Sequence, residues 1–260
     1  KYFVFNFWTT NGTVYTNDVT QNKINAIIDS NDVECDDSCV MTISSGSYYS
    51  FVIIEGENVW YTNNRVVGMK SNIDTALYDI YASCRMVVSD GNYWKNNVVF
   101  LKGQHNVLMK AKGNDDSETG KRIYRNNHYI VEEGFIEKFG FTVDDIKIML
   151  IDNTSPNIWF VENNYIDTVC LSGFTSTSDI YGLTICNNTI KTSRWLNSKF
   201  LVGVEGADIV CNDNIIELGD GNAFNGLYTA SYKINSLTFC RNIIKNSRYP
   251  IGEGKTKECI

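Results

Sequence analysis

Two carboxylates provide the first candidate for catalysis in this chain. Asp152 ends the apolar segment 146–152, and Glu205 ends the apolar segment 201–205. If both segments are strands of one repeated sheet, with a strand bearing Ser172 between them, the carboxylates lie about 9 to 10 Å apart. Inverting glycosidases use a similar separation, because a water molecule must fit between the sugar and the general base. The spacing therefore predicts Asp152 and Glu205 as the acid and base of a glycoside hydrolase.

Both carboxylates also have structural interpretations. An aspartate at the end of a strand commonly accepts hydrogen bonds from the N–H groups of the following turn, and this is the commoner role for a residue placed like Asp152. Glu205 is followed by Gly206 and fits a solvated strand end. The sequence alone leaves catalysis and structure open for both residues.

Lys110 and Lys112 favour a different reaction. They lie one predicted strand before Asp152. In a polysaccharide lyase, one lysine would abstract the proton beside a uronate carboxylate and the other would neutralise that carboxylate. A row of solvated lysines is the structural alternative. The two histidines, His105 and His128, are not in a catalytic arrangement.

A repeated motif defines the elements that must hold these residues. Seven segments contain an apolar residue, a spacer, an Asn pair or a close variant of it, and a further apolar residue. The pairs begin at residues 63, 96, 126, 163, 187, 212 and 241. Intervals of about 20 to 50 residues are typical of stacked supersecondary units. Because β-branched and aromatic residues flank an Asn pair, and Asn tolerates left-handed backbone, each unit is predicted to be strand, tight turn, strand.

The repeat predicts an all-β fold, a single right-handed parallel β-helix of seven or eight rungs, where a rung is one coil of the chain around the axis. In rungs stacked about 4.8 Å apart, turn amides can hydrogen-bond along a column. We expect that column to contain Asn63, Asn96, Asn126, Asn163 and Asn187 or their immediate neighbours. The apolar residues before the pairs are predicted to point inward as core: Tyr61, Trp94, Tyr124, Val161, Ile185, Val210 and Phe239.

A second set of strands lies between the Asn pairs and is expected to present polar groups outward. With Val107, Met109, Leu171 and Val202 inward, the alternation of a strand turns the polar residues to the outer face. The predicted substrate-binding residues on that face are Lys110, Lys112, Ser172 and Glu55, beside the catalytic candidates Asp152 and Glu205.

Another outward column precedes the Asn pairs and is largely apolar. It contains Trp60, Tyr93, Ile123, Phe160, Thr184, Ile209 and Thr238. Stacked aromatic residues would suit the apolar faces of sugar rings, or they would be covered in an oligomer. We favour the oligomer interface, because a long apolar outer face is unfavourable for a monomer in water.

The N-terminal segment is predicted to cap the solenoid. Residues 16–20 offer helix N-caps, and Ile24, Ala26, Ile27 and Ile28 give a short helix with one apolar face. Such a helix would close the open end of the first rung. The predicted organisation is a capping segment, residues 1–50, followed by rungs over residues 51–260. This forms one continuous domain, expected to be a fragment of a longer chain.

Several of these motifs resemble the pectate-lyase superfamily and phage tailspikes of the same fold. They are Phe5-Asn6-Phe7, the segment 11–18, the Ala- and Ile-rich helix, and the entry to the first rung at residues 41–49. The resemblance covers roughly the whole chain but departs at Trp8-Thr9-Thr10 and at the loop 35–39. It implies polysaccharide bound along the polar sheet, a homotrimer in the full-length protein, and a location outside the cell or on a virion surface.

Composition excludes other partners. The formal net charge of −7 disfavours nucleic acid, and no apolar run reaches the length of a membrane span, so we expect no membrane insertion. Cys186, Cys211 and Cys240 share one position in three repeats, and no His joins them, so a stacked column is favoured over a metal site. We expect no metal and no cofactor.

These observations predict a protein that binds and cleaves polysaccharide, as a depolymerase or a tailspike-like receptor module. Glycoside hydrolysis is the favoured reaction and elimination from a uronate polysaccharide is the alternative. A structural or adhesive solenoid without catalysis is the remaining interpretation.

Overall fold

The chain folds as a parallel β-solenoid. The computed structural model describes residues 5–7, 25–38, 40–41, 49–54, 58–71, 75–80, 86–99, 105–111, 120–140, 147–153, 157–176, 180–195, 201–202, 208–219 and 235–246. Every strand pair among these residues is parallel, as the repeat predicted. No helix in this part of the chain is long and apolar enough to span a membrane.

The strands are short and follow one another in a regular order. They are β1 (Phe5–Phe7), β2 (Asn25–Asp29), β3 (Asp32–Glu34), β4 (Val40–Met41), β5 (Tyr49–Ile54), β6 (Asn58–Thr62), β7 (Arg65–Val67), β8 (Lys70–Ser71), β9 (Thr75–Ile80), β10 (Met86–Asp90), β11 (Tyr93–Lys95), β12 (Val98–Val99), β13 (His105–Ala111), β14 (Gly120–Arg125), β15 (His128–Val131), β16 (Lys147–Asn153), β17 (Asn157–Glu162), β18 (Tyr165–Ser176), β19 (Gly182–Cys186), β20 (Thr189–Trp195), β21 (Leu201–Val202), β22 (Asp208–Asn212), β23 (Ile215–Leu218), β24 (Ser236–Cys240) and β25 (Ile243–Lys245). The described residues also include one short helix, α1, which spans Glu133–Lys138.

Three faces run along the solenoid axis. The first face is the eight-stranded sheet β2-β6-β10-β14-β17-β19-β22-β24, which agrees with the predicted rung number. The second face contains β3, β7, β11, β15, the first half of β18, β20, β23 and β25. The third face contains β1, β5, β9, β13, β16, the second half of β18 and β21. In the first rungs, the small sheet β4-β8-β12 follows the second face in the chain.

A column of buried asparagines stacks at the corner between the first and second faces. Each rung repeats the same bonds: the main-chain N–H and Nδ2 of Asn64 donate to Oδ1 of Asn92, at 2.9 and 3.1 Å, and Nδ2 also donates to the carbonyl of Ile28 in the preceding rung, at 2.9 Å. We call this column the asparagine ladder. Its members are Asn31, Asn64, Asn92, Asn127, Asn164, Asn188, Asn214 and Asn242, of which the two end members, Asn31 and Asn242, are half-buried.

The residue before each ladder asparagine has left-handed backbone. Its φ angle lies between 53° and 68° in every rung, at Ser30, Asn63, Gly91, Asn126, Asn163, Asn187, Asp213 and Arg241. A left-handed residue makes the corner sharp, and Asn and Gly accept it at little cost. At Gly91 the neighbouring rung adds a steric reason, because a Cβ would lie 2.7 Å from Oδ1 of Asn63.

The stacked residues are therefore the immediate neighbours Asn64, Asn127, Asn164 and Asn188, as predicted, but the assignment of Asn96 to this column is wrong. Asn96 and Asn97 form a second corner, after the second face. There, Asn97 repeats the ladder geometry: its Oδ1 accepts from the N–H of Met69 at 3.0 Å and its Nδ2 donates to the carbonyl of Val66 at 2.9 Å. An Asn pair marks a sharp corner, but the third rung has two sharp corners, at Gly91-Asn92 and at Asn96-Asn97.

The core consists of inward columns from the first and second faces. Tyr61, Tyr124, Val161 and Ile185 are buried, as predicted, and in the same column Ser89 and Cys211 are buried too. Trp94 is also buried, but it lies on the second face, in register with Val66 and Tyr129. Val210 is only half-buried, because the first-face strand there is shifted by one residue from the predicted register.

The capping helix predicted over residues 24–28 is replaced, from Asn25 to Asp29, by strand β2. This strand pairs with β6, and Ile28 is buried in register with Tyr61. The following Ser30 and Asn31 form the first ladder corner, so residues 25–34 make the start of a rung. Residues 8–24 lie outside the described part of the chain.

Helix α1 packs along the second corner and contacts three earlier rungs. Glu132, at its N-cap, pairs with Lys95 at 2.8 Å and accepts a hydrogen bond from Asn96 at 3.0 Å. Phe139, just after the helix, lies 4.9 Å from Nζ of the buried Lys70, measured to the ring centroid. Lys138 pairs with Asp37 in the first rung. The helix therefore connects the fourth rung to each of the first three.

The ladder predicts a large difference between two adjacent asparagines. Asn164→Gly removes the amide that bonds Asn127, Asn188 and the carbonyl of Tyr124. Since each buried group left unpaired costs about 1 to 3 kcal/mol, we expect a loss of about 3 kcal/mol or more in the free energy of unfolding. Asn163→Gly is the matched control, because Asn163 is exposed and has a φ angle of 56°. The free energies of unfolding are measured with denaturant. Equal losses for Asn164→Gly and Asn163→Gly would contradict the role of the asparagine ladder.

Candidate functional site

The third face brings Lys110 and Asp152 into adjacent strands. Lys110 in β13 is in register with Asp152 in β16 and with Asp79 in β9, so three charged positions of alternating sign lie in consecutive rungs. Asp152 is in turn in register with Thr175, and Thr175 with Val202. The predicted adjacency of Lys110 and Asp152 thus exists in the backbone.

Ser172 has a different register from the one used in the prediction. It is paired with Met149, which is paired with Val107. Val107 was predicted to point inward and Ser172 outward, so the two predictions do not fit one register. Thr175 is the residue of β18 beside Asp152. The predicted site residues Glu55, Lys112 and Glu205 lie outside the described residues. Strand β21, which precedes Glu205 in the chain, is separated from β16 by β18 alone.

The second face carries a stacked column of aromatic rings on its outer surface. Tyr93 in β11, His128 in β15 and Tyr165 in β18 are in register in three consecutive rungs. The ring centroids are 6.1 Å apart between Tyr93 and His128, and 5.5 Å apart between His128 and Tyr165. His128 is exposed and the two tyrosines are half-buried. We call these three residues the aromatic column.

The asparagine ladder holds the aromatic column in place. Each ring belongs to the residue directly after a ladder asparagine, and each main-chain N–H donates to the carbonyl of the ladder asparagine one rung earlier. For His128 the acceptor is Asn92, at 2.8 Å, and for Tyr165 it is Asn127, also at 2.8 Å. Because the corner fixes the backbone on both sides of the turn, the three residues stay in register from rung to rung.

Polar groups surround the rings. The hydroxyl of Tyr165 donates to Oδ2 of Asp167 at 2.8 Å, and Nζ of Lys191 lies 5.7 Å from the centroid of the Tyr165 ring. Lys191 also pairs with Glu217 at 3.5 Å. The hydrogen bond to Asp167, together with partial burial, raises the pKa of Tyr165, so its hydroxyl stays protonated at neutral pH. On the side of the third rung, Lys95 pairs with Glu132.

The flanking carboxylates are held in their ionised form. Hydrogen bonds from Lys95 and Asn96 lower the pKa of Glu132, and the hydrogen bond from Lys245 lowers the pKa of Glu217. A general acid needs a raised pKa, so neither group is suited to protonate a leaving group at neutral pH. The described part of this face presents aromatic rings, a phenol hydroxyl bound to Asp167, and fixed charges.

The first face has a different outer column, which is mostly apolar. Its members in register are Ile27, Trp60, Val88, Ile123, Phe160, Thr184, Val210 and Thr238. Ile27 is 73% exposed, whereas Val88 is covered by its neighbours. Two predicted members are wrong: Tyr93 belongs to the second face, and Ile209 is buried in the core. We call this column the apolar strip.

The three cysteines that were predicted to stack, Cys186, Cys211 and Cys240, do not form one column. Cys211 points into the core, while Cys186 and Cys240 lie in the outward register on either side of Asn212. Burial raises the pKa of Cys211 to about 12, so its thiol stays protonated. Among the described residues, no group of three or more His, Cys, Asp or Glu side chains is arranged to hold a metal ion.

The aromatic column is the feature that reading the sequence missed. Tyr93 was assigned to the apolar strip, and His128 and Tyr165 were given no role. The signal was present in the three dipeptides Asn92-Tyr93, Asn127-His128 and Asn164-Tyr165. To recognise this signal, one must know that the second asparagine of each pair, rather than the first, belongs to the asparagine ladder.

Comparison with known proteins identified no relative. A scan against protein-family models, a search of curated proteins and a search of solved structures each returned no match.

Proposed function

We propose that this protein is a polysaccharide-binding solenoid and that the aromatic column is part of its glycan surface. The observation that carries the proposal is the register of Tyr93, His128 and Tyr165, three partly exposed rings in consecutive rungs. Aromatic rings with an apolar body and a polar edge favour ligands that are apolar on one side and wet on the other. Pyranose rings have this character, since C–H groups line a face and hydroxyls line the rim.

The polar groups beside the rings support a glycan ligand. Asp167 and Glu217 offer acceptors to sugar hydroxyls, and Lys191 offers a donor, each close to the Tyr165 ring or paired beside it. Lys245 also pairs with Glu217, so two carboxylates face two lysines, and the balanced charge favours a neutral glycan over a strongly charged one. The N-terminal and repeat motifs that resemble the pectate-lyase superfamily and phage tailspikes support the same ligand class and a location outside the cell or on a virion surface.

Glycan binding can be tested with a polysaccharide array followed by titration of the best ligand. We expect Tyr93→Ala and Tyr165→Ala each to weaken binding about tenfold, because truncating an aromatic anchor of a binding surface costs more than about 1 kcal/mol. Tyr181→Ala is the matched control, since Tyr181 is 53% exposed and lies outside the column. Tyr165→Phe separates the ring from the hydroxyl that bonds Asp167. Wild-type affinity in both column variants would reject this surface.

For the reaction, we propose cleavage on the third face, with Asp152 and Glu205 as acid and base of a glycoside hydrolase. The support is the position of Asp152 between Lys110 and Thr175 in one register, and the position of β21, before Glu205, two strands from β16. A lyase using Lys110 and Lys112 is the alternative. Its support is the register of Lys110 with Asp152, which gives Lys110 the same place on the third face as the hydrolase candidate.

The two reactions make opposite predictions on a polysaccharide that the protein degrades. For hydrolysis, Asp152→Asn and Glu205→Gln should each lower the rate by orders of magnitude while Lys110→Ala stays active. For elimination, the lysine variants should lose activity, and the products should absorb ultraviolet light because a double bond forms. Asp208→Asn is the control, because Asp208 is an exposed carboxylate of the first face. Wild-type rates in all of these variants would place the reaction elsewhere.

A solenoid that binds without cleaving is the second candidate function. The observation in its favour is that Glu132 and Glu217, the carboxylates with shifted pKa values beside the aromatic column, are held ionised by Lys95 and Lys245. An adhesive surface needs fixed charges of this kind and no proton donor. Binding of a glycan with no release of reducing ends or unsaturated products would favour this candidate.

We further propose a homotrimer of the full-length protein, formed through the apolar strip. The support is a set of large apolar residues in register on one outer face, Trp60, Ile123 and Phe160. Light scattering on the longest natural chain should give the mass of a trimer, and Trp60→Glu should give a monomer because a charge would enter the interface. A monodisperse monomer of the unsubstituted protein would reject the assembly.

A further inference from the structure

We infer that His128 makes the aromatic column sensitive to pH, so that acidification weakens the binding of a neutral glycan there. This inference rests on the proposed glycan-binding function of the column. It concerns the regulation of that surface and assigns no catalytic role to His128.

The position of His128 is central and accessible. It is the middle ring of the column, with Tyr93 at 6.1 Å and Tyr165 at 5.5 Å between centroids, and each pair of rings is tilted by 37°. It is also the exposed member of the three. A sugar that spans the column must therefore contact the imidazole.

The charged groups around His128 already have hydrogen-bond or ion-pair partners. From β11, Lys95 is bound to Glu132, and from β18, Asp167 accepts the hydroxyl of Tyr165. On the side of the asparagine corner, Arg125 is bound to Asp90 at 2.7 Å. More distant in the same registers are Arg65, which is paired with Asp32 and Glu34, and Lys191, which is paired with Glu217. The rings adjacent to His128 are the tyrosines Tyr93 and Tyr165.

Imidazole is the side chain that ordinarily changes charge between about pH 5 and 8. In its neutral form, the middle ring can give up its bound water to a sugar face at low cost in free energy. In its protonated form, the middle ring carries a charge that water solvates at this exposed position. A neutral sugar must then displace water from a charge without replacing it by an opposite charge, which is unfavourable.

The difference between the two forms should be visible in a titration. We expect the affinity of the wild-type protein for its best neutral glycan to fall at least threefold from pH 8 to pH 5. His128→Phe should bind with an affinity that does not change over this range, because it keeps a ring without a titrating group. His105→Phe is the matched control, since His105 is the other histidine of the chain, and it should keep the wild-type pH profile.

Each result has a distinct meaning. A flat wild-type profile, or a His128→Phe variant that keeps the full dependence, would overturn the inference and leave glycan binding at the column intact. Tighter binding at low pH would also overturn it, because the sign would be reversed. A protein that binds no glycan at any pH would reject both the proposed function and the inference. An NMR titration of the His128 ring, with and without glycan, should show that the neutral form predominates in the complex.

Discussion

The hydrogen-bonded column of buried asparagines is the interaction on which this solenoid depends. At a sharp corner, the main-chain N–H groups and carbonyls leave the strand ladder, and burying them unpaired would cost several kcal/mol per rung. Asparagine can pair both kinds of main-chain group, because its one short side chain carries both a donor and an acceptor. Its Oδ1 accepts two bonds from the rung before, and its Nδ2 donates to both neighbouring rungs. Amide groups aligned in this way also polarise one another, so the column strengthens as rungs are added.

The ladder separates the requirements of stability from those of surface chemistry. Once the corner is fixed, residues alternate between core and exterior along both adjoining strands. The inward columns are restricted to residues such as Tyr61, Ile185 and Ile190, which pack against their neighbours. The outward residue directly after the ladder asparagine is free to vary, and it changes along the axis from Arg65 through the aromatic column to aliphatic Ile215 and Ile243. A surface of this type can change its ligand without changing its fold.

The parallel solenoid was predictable from sequence because the repeat combines two independent constraints, alternation in the strands and asparagine at the corner. Register was less predictable. Ser30, Gly91, Asp213 and Arg241 all adopt the left-handed corner conformation that the repeat associates with asparagine. An exposed corner residue needs only a tolerable backbone, so its identity varies, whereas the buried residue after it is always asparagine in the described rungs.

The candidate surfaces show the same limit. A shift of one residue exchanges inside and outside, which is why Val210 was predicted to be core and Ile209 was predicted to be outward. Asn96 and Asn97 satisfied the motif at a different corner, and this moved Tyr93 to the wrong face. The N-cap residues 16–20 and the apolar residues Ile24, Ala26, Ile27 and Ile28 predict a short helix, yet pairing with β6 makes residues 25–29 a strand. These errors concern which column a residue joins, and only neighbouring rungs determine that.

Helix α1 changes how the solenoid should unfold. A repeat array in which each unit contacts only its neighbours behaves as a one-dimensional chain, and its ends can fray one rung at a time. The helix instead binds rungs one, two and three through Lys138, Phe139 and Glu132. The contact between Lys138 and Asp37 joins residues 101 positions apart. The first four rungs therefore share contacts that skip a rung, and no element of this kind follows them among the described residues, so opening should begin at the C-terminal end of the described solenoid.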